Sequence, residues 1–183
     1  MSPDERAALE QCAAVFAEKR DIVFIVPESL DCSVYLKVIP SAAVKCFDDS
    51  YFTGISSYSR LLLTPDFYHC FEEYTHMLIY QLDGWVFRDE LDEWCGKEYE
   101  YIGAPFFLQD GKKRLPVAGN GGVSLRNIAA MLRVLSSPEK KDVSAETALA
   151  VLPQLRCRIP LFALSGTVVE NDRISLQYPW AFS

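Results

Sequence analysis

Two periods of hydrophobic and polar positions alternate along this chain, and each change of period marks a new element. Near the N-terminus, Leu9, Cys12, Ala13 and Phe16 recur at i, i+3, i+4 and i+7, the single apolar stripe of a helix lying on a core. Ser2 precedes the stripe as N-cap, Pro3 suits a first helical turn and Glu5 completes a capping box. The spacing therefore predicts a helix from the first residues to about Lys19. Residues 21–27, D-I-V-F-I-V-P, form a short unbroken apolar run, as expected of a strand covered on both faces. Residues 43–47 give a weaker strand, and a helix is expected over 57–63. A second helix follows, with Thr64 as N-cap and Pro65 at its first position, running to about Glu73. Residues 77–82 read as a buried strand. Asp89 is placed to cap a helix carrying Leu91, Trp94 and Cys95, and 99–103 is a further strand. Beyond a glycine cluster, Ile128, Met131, Leu132 and Leu135 repeat the helical stripe. A polar loop over 136–142, a helix from Ser144 to about Leu152, and strand-like stretches at 161–164 and 167–169 complete the pattern.

Strands alternating with helices argue for an α/β layered domain with a mostly parallel sheet. At 183 residues the chain is expected to be one domain spanning 1–183, with no internal repeat or interdomain linker. Half of its residues are hydrophobic, which places it among globular chains. The formal net charge of −7 argues against a phosphate-backbone partner, so nucleic acid is not expected. No run approaches the ~18 apolar residues of a membrane span, and no signal-peptide core is present. Six cysteines (Cys12, Cys32, Cys46, Cys70, Cys95 and Cys157) lack any C-x-x-C spacing, and most sit in apolar patterns. They are expected to be reduced, buried thiols of a cytoplasmic protein rather than disulfides or zinc ligands.

Two stretches carry candidate chemistry. L-I-Y-Q-L-D-G-W-V-F at 78–87 delivers one carboxylate, Asp83, and then a glycine at the carboxyl end of a strand. Ligands of open α/β sheets collect at that end. G-N-G-G-V-S-L-R at 119–126 packs Gly119, Gly121 and Gly122 around Asn120, where backbone can approach a ligand closely. Together they suggest a pocket for an oxygen-rich, phosphorylated ligand. The bland alternatives are that Asp83 caps the turn after its strand and that the glycines form a turn between strand segments. The glycines have neither dinucleotide-fingerprint nor P-loop spacing. His69 and His76 have no partner at ligand spacing and read as structural.

In order, S-Y-S-R-L-L-L at 57–63, the 78–87 stretch, Y-E-Y-I-G-A-P-F at 99–106 and the 119–126 stretch resemble an uncharacterised family of glycosyltransferase-like domains. Those domains occur in polysaccharide-biosynthesis contexts and look like GT-A-fold enzymes. The resemblance covers roughly residues 5–135 and extends more distantly to glycogenin-type and lipopolysaccharide galactosyltransferases. It implies a Rossmann-type layered domain and sugar transfer from a nucleotide-sugar donor to a glycan or other hydroxyl acceptor. It also implies Mn²⁺ or Mg²⁺ held on an Asp-x-Asp motif, because a hard cation neutralises the leaving diphosphate. Here those positions read Gln81, Leu82, Asp83, so Asp83 is the one acid left for metal and diphosphate. By the same resemblance Tyr58 and Arg60 border the donor, a guanidinium being suited to phosphate, and Asn120, Gly121 and Gly122 meet the sugar. Asp172, in Glu170-Asn171-Asp172, is the candidate base for the acceptor hydroxyl, with a solvated turn as the alternative.

The chain departs from that pattern in two ways. It opens on the helix that should follow the first, nucleotide-gripping strand, and it ends at Ser183, soon after Asp172. A missing first strand would bare a neighbouring strand or leave a groove, inviting another chain to pair there, a second copy included. Gln81 and the absent strand favour a second expectation, a non-catalytic sugar-binding or assembly module on a degenerate fold. A third, an α/β phosphate-handling hydrolase, would need a further acid or nucleophile near Asp83.

Overall fold

A computed structural model describes residues 1–104 and 120–136. The first helix, α1 (Pro3–Phe16), starts as its capping pattern requires. The Ser2 hydroxyl accepts from the Glu5 amide at 3.2 Å, and the Glu5 carboxylate accepts from the Ser2 amide at 2.6 Å. Leu9, Cys12 and Phe16 are buried along its expected stripe. Replacing Ser2 with Ala leaves the Glu5 amide without its side-chain acceptor. The substitution should cost about 1 kcal/mol of unfolding free energy in urea titration.

The strand β1 (Val23–Pro27) follows, then the one-turn helix α2 (Ser33–Leu36) and β2 (Ala43–Phe47). A 3₁₀ turn, Asp49–Phe52, leads to α3 (Ile55–Leu61) and α4 (Pro65–His69). Thr64 does not cap α4 as expected: its hydroxyl turns back and donates to the Leu61 carbonyl at 2.8 Å, and α4 ends well before Glu73. Then come β3 (His76–Ile79), α5 (Leu91–Cys95), β4 (Tyr101–Ala104), β5 (Asn120–Asn127) and α6 (Ile128–Leu135). Asp89 supports the start of α5 by accepting from the Leu91 amide at 3.1 Å. Asn127 caps α6, its side-chain oxygen accepting from the Ala130 amide at 2.9 Å. The helix predicted from Ser144 and the strand-like stretches at 161–164 and 167–169 lie outside the described residues.

The domain is mixed α/β, but its described strands do not make one mostly parallel sheet. β1 and β2 form a parallel pair, with Val23 opposite Ala43 and Pro27 opposite Phe47. β3, β5 and β4 form a three-stranded sheet with β5 in the middle, antiparallel to both neighbours. The difference arises at β5, which lies between β3 and β4 and runs opposite to both.

One core joins both sheets. Phe67 and Tyr68 of α4 are almost wholly buried among Leu61, Phe71, Ile79, Tyr101, Ile128 and Met131. Phe47 of β2 packs its ring on Phe67 at 5.7 Å, linking the parallel pair to that core. α1 is tied to the segment after β3 at three points. Tyr80 donates to the Ala8 carbonyl at 3.4 Å, Gln11 donates to the Val86 carbonyl at 2.8 Å, and Arg20, just beyond α1, pairs with Asp89 and Asp92. Cys12 is buried in this packing, which pushes its thiol up to about 11, and Cys32 is buried too. Cys46 is exposed, contrary to expectation, because it sits on the open face of β2. All five described cysteines are free thiols. Among the described residues no helix is long and apolar enough to cross a membrane.

Candidate functional site

β3 is short because its apolar run breaks at the Gln81-Leu82-Asp83-Gly84 turn, which the Gly84 amide closes onto the Gln81 carbonyl at 2.9 Å. Tyr80 braces the turn from below, its hydroxyl donating to the Gly84 carbonyl at 2.7 Å. Burial is the main cause that raises the Tyr80 phenol, so this hydroxyl keeps its proton as a donor. Asp83 is therefore held at an exposed tip by a backbone that is itself fixed.

The glycine cluster meets this turn. Regular pairing in β5 runs from Asn127 to Ser124 against β3 and from Arg126 to Ser124 against β4; the next β4 partner is Ala104, which faces Asn120. Gly121, Gly122 and Val123 thus bulge out of the ladder. Gly84 packs against that bulge so closely that a Cβ placed on it would lie 3.3 Å from both Val123 Cγ2 and the Gln81 carbonyl oxygen. The acidic turn and the glycine bulge are accordingly neighbours.

The bulge is held from inside by a residue the sequence reading did not single out. Arg126 is 5% exposed. Its Nη1 donates to the Tyr68 hydroxyl at 2.6 Å, Nε to the Ser124 hydroxyl at 3.0 Å and Nη2 to the Gly121 carbonyl at 3.3 Å. Its guanidinium also lies over the Tyr101 ring, 5.5 Å from the centroid. Ser124 adds a 3.0 Å bond to the same Gly121 carbonyl. A Cβ on Gly121 would come within 3.1 Å of Arg126 Nη2 and press on the guanidinium. A buried cation four residues after a glycine pair has no sequence signal of its own. Between Leu125 and Asn127, with Ser124 close by, it reads as an ordinary solvated arginine.

Trp85 and Phe87 were likewise passed over. They follow the acidic turn and are 49% and 66% exposed, the largest apolar exposures near Asp83. Exposed aromatic faces beside a polar tip are suited to stacking on a sugar or a base. Their signal was an apolar run that continues past Gly84, where no strand needs it.

The other candidates are divided. Tyr58 and Gln81 line a cavity of about 560 Å³ between β1 and β3. Tyr58 also packs on the Phe52 ring at 6.4 Å. Arg60 is not brought to this cavity; it is exposed and stacks on Tyr51 at 5.6 Å. Asn120 begins β5 and Gly122 sits in its bulge, while Gly119 and Asp172 lie outside the described residues. His76 faces Asn127, its Nε2 3.3 Å from the amide nitrogen, and burial lowers its pKa. His69 pairs with Glu72. For a divalent ion the turn offers one carboxylate, Asp83. Among the described residues no three His, Cys, Asp or Glu side chains cluster as ligands. Such a place fits a hard cation only when phosphate oxygens complete the coordination.

Residues 41–156, more than half of the chain, match the family described as protein of unknown function (DUF5672). The chain belongs to this family. The DUF5672 stretch runs from just before β2 past α6 and contains both the acidic turn and the glycine bulge, whereas α1 and β1 precede it. No curated protein and no solved structure matches the chain.

Proposed function

We propose that this DUF5672 domain is a GT-A-type glycosyltransferase domain that takes a nucleotide-sugar donor and passes its sugar to a glycan or another hydroxyl acceptor. The observation that carries the reading is the contact between the Asp83–Gly84 turn and the Gly121–Val123 bulge. One negative tip and one stretch of side-chain-poor backbone meet there, and two exposed aromatic residues, Trp85 and Phe87, follow the tip in the chain. In this reading Asp83 serves the diphosphate end of the donor and the bulge, with Asn120, meets the sugar. Trp85 or Phe87 gives a flat apolar face to a ring. The acceptor oxygen forms a bond to the anomeric carbon while the bond from that carbon to the diphosphate oxygen breaks. The electron pair leaves on the diphosphate, and the acceptor proton passes to a base, for which Asp172 is the candidate. Mn²⁺ or Mg²⁺ arriving with the donor would touch Asp83 and neutralise the leaving diphosphate.

The single carboxylate at the turn favours a second reading, a sugar-binding or assembly module that has lost turnover. Calorimetry on the full chain separates these outcomes, using uridine and guanosine diphosphates and their sugar conjugates with and without Mn²⁺. Donor binding is expected, with Asp83→Ala weakening it at least tenfold. The variant's thermal midpoint should be unchanged, because Asp83 is exposed. Binding of sugar alone, with no nucleotide bound, would favour the second reading; no binding of either would sink the sugar-transfer reading and the sugar-binding one.

A further inference from the structure

The buried Arg126 guanidinium reaches one backbone carbonyl, that of Gly121, by two routes. Nη2 donates to its oxygen directly at 3.3 Å. Nε donates to the Ser124 hydroxyl at 3.0 Å, and that hydroxyl donates to the same oxygen at 3.0 Å. Nε and Nη2 form one edge of the planar guanidinium, so edge, hydroxyl and carbonyl close into a ring. Ser124 is 1% exposed, which places the ring inside the protein. The far side of the guanidinium is anchored as well. Nη1 donates to the Tyr68 hydroxyl at 2.6 Å, which in turn donates to the Leu62 carbonyl, just after α3, at 2.9 Å. The Gly121 carbonyl is thereby tied, through Arg126 and Tyr68, to the corner between α3 and α4.

That carbonyl belongs to the stretch of β5 whose backbone is least constrained by pairing. Gly121 and Gly122 lie in the bulge, outside the regular ladder, and glycine loses more freedom on ordering than any other residue. A peptide group is planar and trans. Fixing the direction of the Gly121 carbonyl therefore fixes the whole plane between Gly121 and Gly122. An apolar side chain could fill the space over Tyr101 without taking a charge out of water. It could not donate to a carbonyl. What the guanidinium adds beyond volume is a set direction for the bulge backbone.

We infer, on the sugar-transfer reading, that Arg126 is a positioning residue that holds the Gly121–Gly122 backbone in the form that meets the donor's sugar, with Ser124 assisting it. Arg126 acts through the Gly121 carbonyl and not by touching the donor. A backbone set before the donor arrives spares the ordering that binding would otherwise have to supply. The sugar is then governed from inside the protein by Arg126. The diphosphate is left to the Asp83 turn, which Tyr80 braces separately.

Calorimetry on the full chain with Mn²⁺ tests this, using uridine diphosphate against uridine diphosphate glucose and guanosine diphosphate against guanosine diphosphate mannose. The quantity read is the ratio of dissociation constants, sugar conjugate over bare diphosphate, for a pair that binds. Arg126→Met should raise this ratio about tenfold, with a thermal midpoint close to that of the unaltered chain. Ser124→Ala should raise it by a smaller factor. Arg126→Lys keeps the charge but lacks the planar edge, and should raise the ratio as methionine does. Asp83→Ala should weaken both members of the pair and leave their ratio unchanged. An unchanged ratio in Arg126→Met, or a ratio restored by lysine, overturns the inference and leaves the sugar-transfer reading standing. Binding of bare diphosphate with neither conjugate overturns it too. An unaltered chain that binds none of the four probes sinks that reading and this inference together. Should the Arg126 variants not fold, Ser124→Ala decides, an unchanged ratio overturning the inference.

Discussion

Phe67→Ala is expected to lower the free energy of unfolding by about 3–5 kcal/mol, read as a large fall in the urea midpoint at unchanged slope. Phe67 is 1% exposed and is the ring through which the two sheets meet. It packs on Phe47 of β2 at 5.7 Å, on Tyr68 edge-on at 5.2 Å and on Phe71 at 5.5 Å. Truncation removes the transfer free energy of a whole aromatic side chain. It also leaves a hole that four elements would have to move together to close, so relaxation recovers little. Phe67→Leu, which keeps most of the volume, should cost clearly less. A loss under about 1 kcal/mol for the alanine variant would mean that the parallel pair and the antiparallel sheet do not share a core.

The second large effect is expected at Arg126, where two substitutions should differ. Arg126→Ala removes the bonds to Tyr68, Ser124 and Gly121 and empties the space over Tyr101. It should cost about 3 kcal/mol. Arg126→Met keeps an unbranched stem of similar reach and relieves the burial of a charge whose hydrogen-bond partners here are uncharged. It should cost about 1 kcal/mol or less. Tyr68 remains satisfied in both variants, because its hydroxyl donates to the Leu62 carbonyl at 2.9 Å. Urea titration of both variants checks the order. If neither change alters stability, the guanidinium is not enclosed; if methionine is as damaging as alanine, its hydrogen bonds outweigh its volume and the desolvation of its charge.

What could be read directly from the residues was local. The α1 capping box depends on Ser2 and Glu5, three positions apart, and the α6 stripe on residues within two turns; both formed as the spacing required. Strand existence was legible for the same reason, through the apolar runs at 21–27 and 77–82. Strand partnership was not. Nothing in H-M-L-I says that it pairs antiparallel with a strand over forty residues later, because pairing is decided by which edge remains open once the helices have packed. The glycine cluster announced special backbone, but a bulge and a turn share that composition. Arg126 reads as a surface charge until its neighbours are seen to enclose it. The contact of Arg60 with Tyr51, 5.6 Å from the ring centroid, had no sign in the sequence either.

The three ties between α1 and the segment after β3 have a mechanical consequence. Tyr80, Val86 and Asp89 are each moored to one rod: the first two on either side of its middle, the third just past its end. The stretch bearing Asp83, Trp85 and Phe87 therefore rides as cargo on α1, and any tilt or slide of that rod carries the carboxylate and both rings with it. Because Leu9, Cys12 and Phe16 of α1 also line the cavity between β1 and β3, the same movement reshapes that cavity.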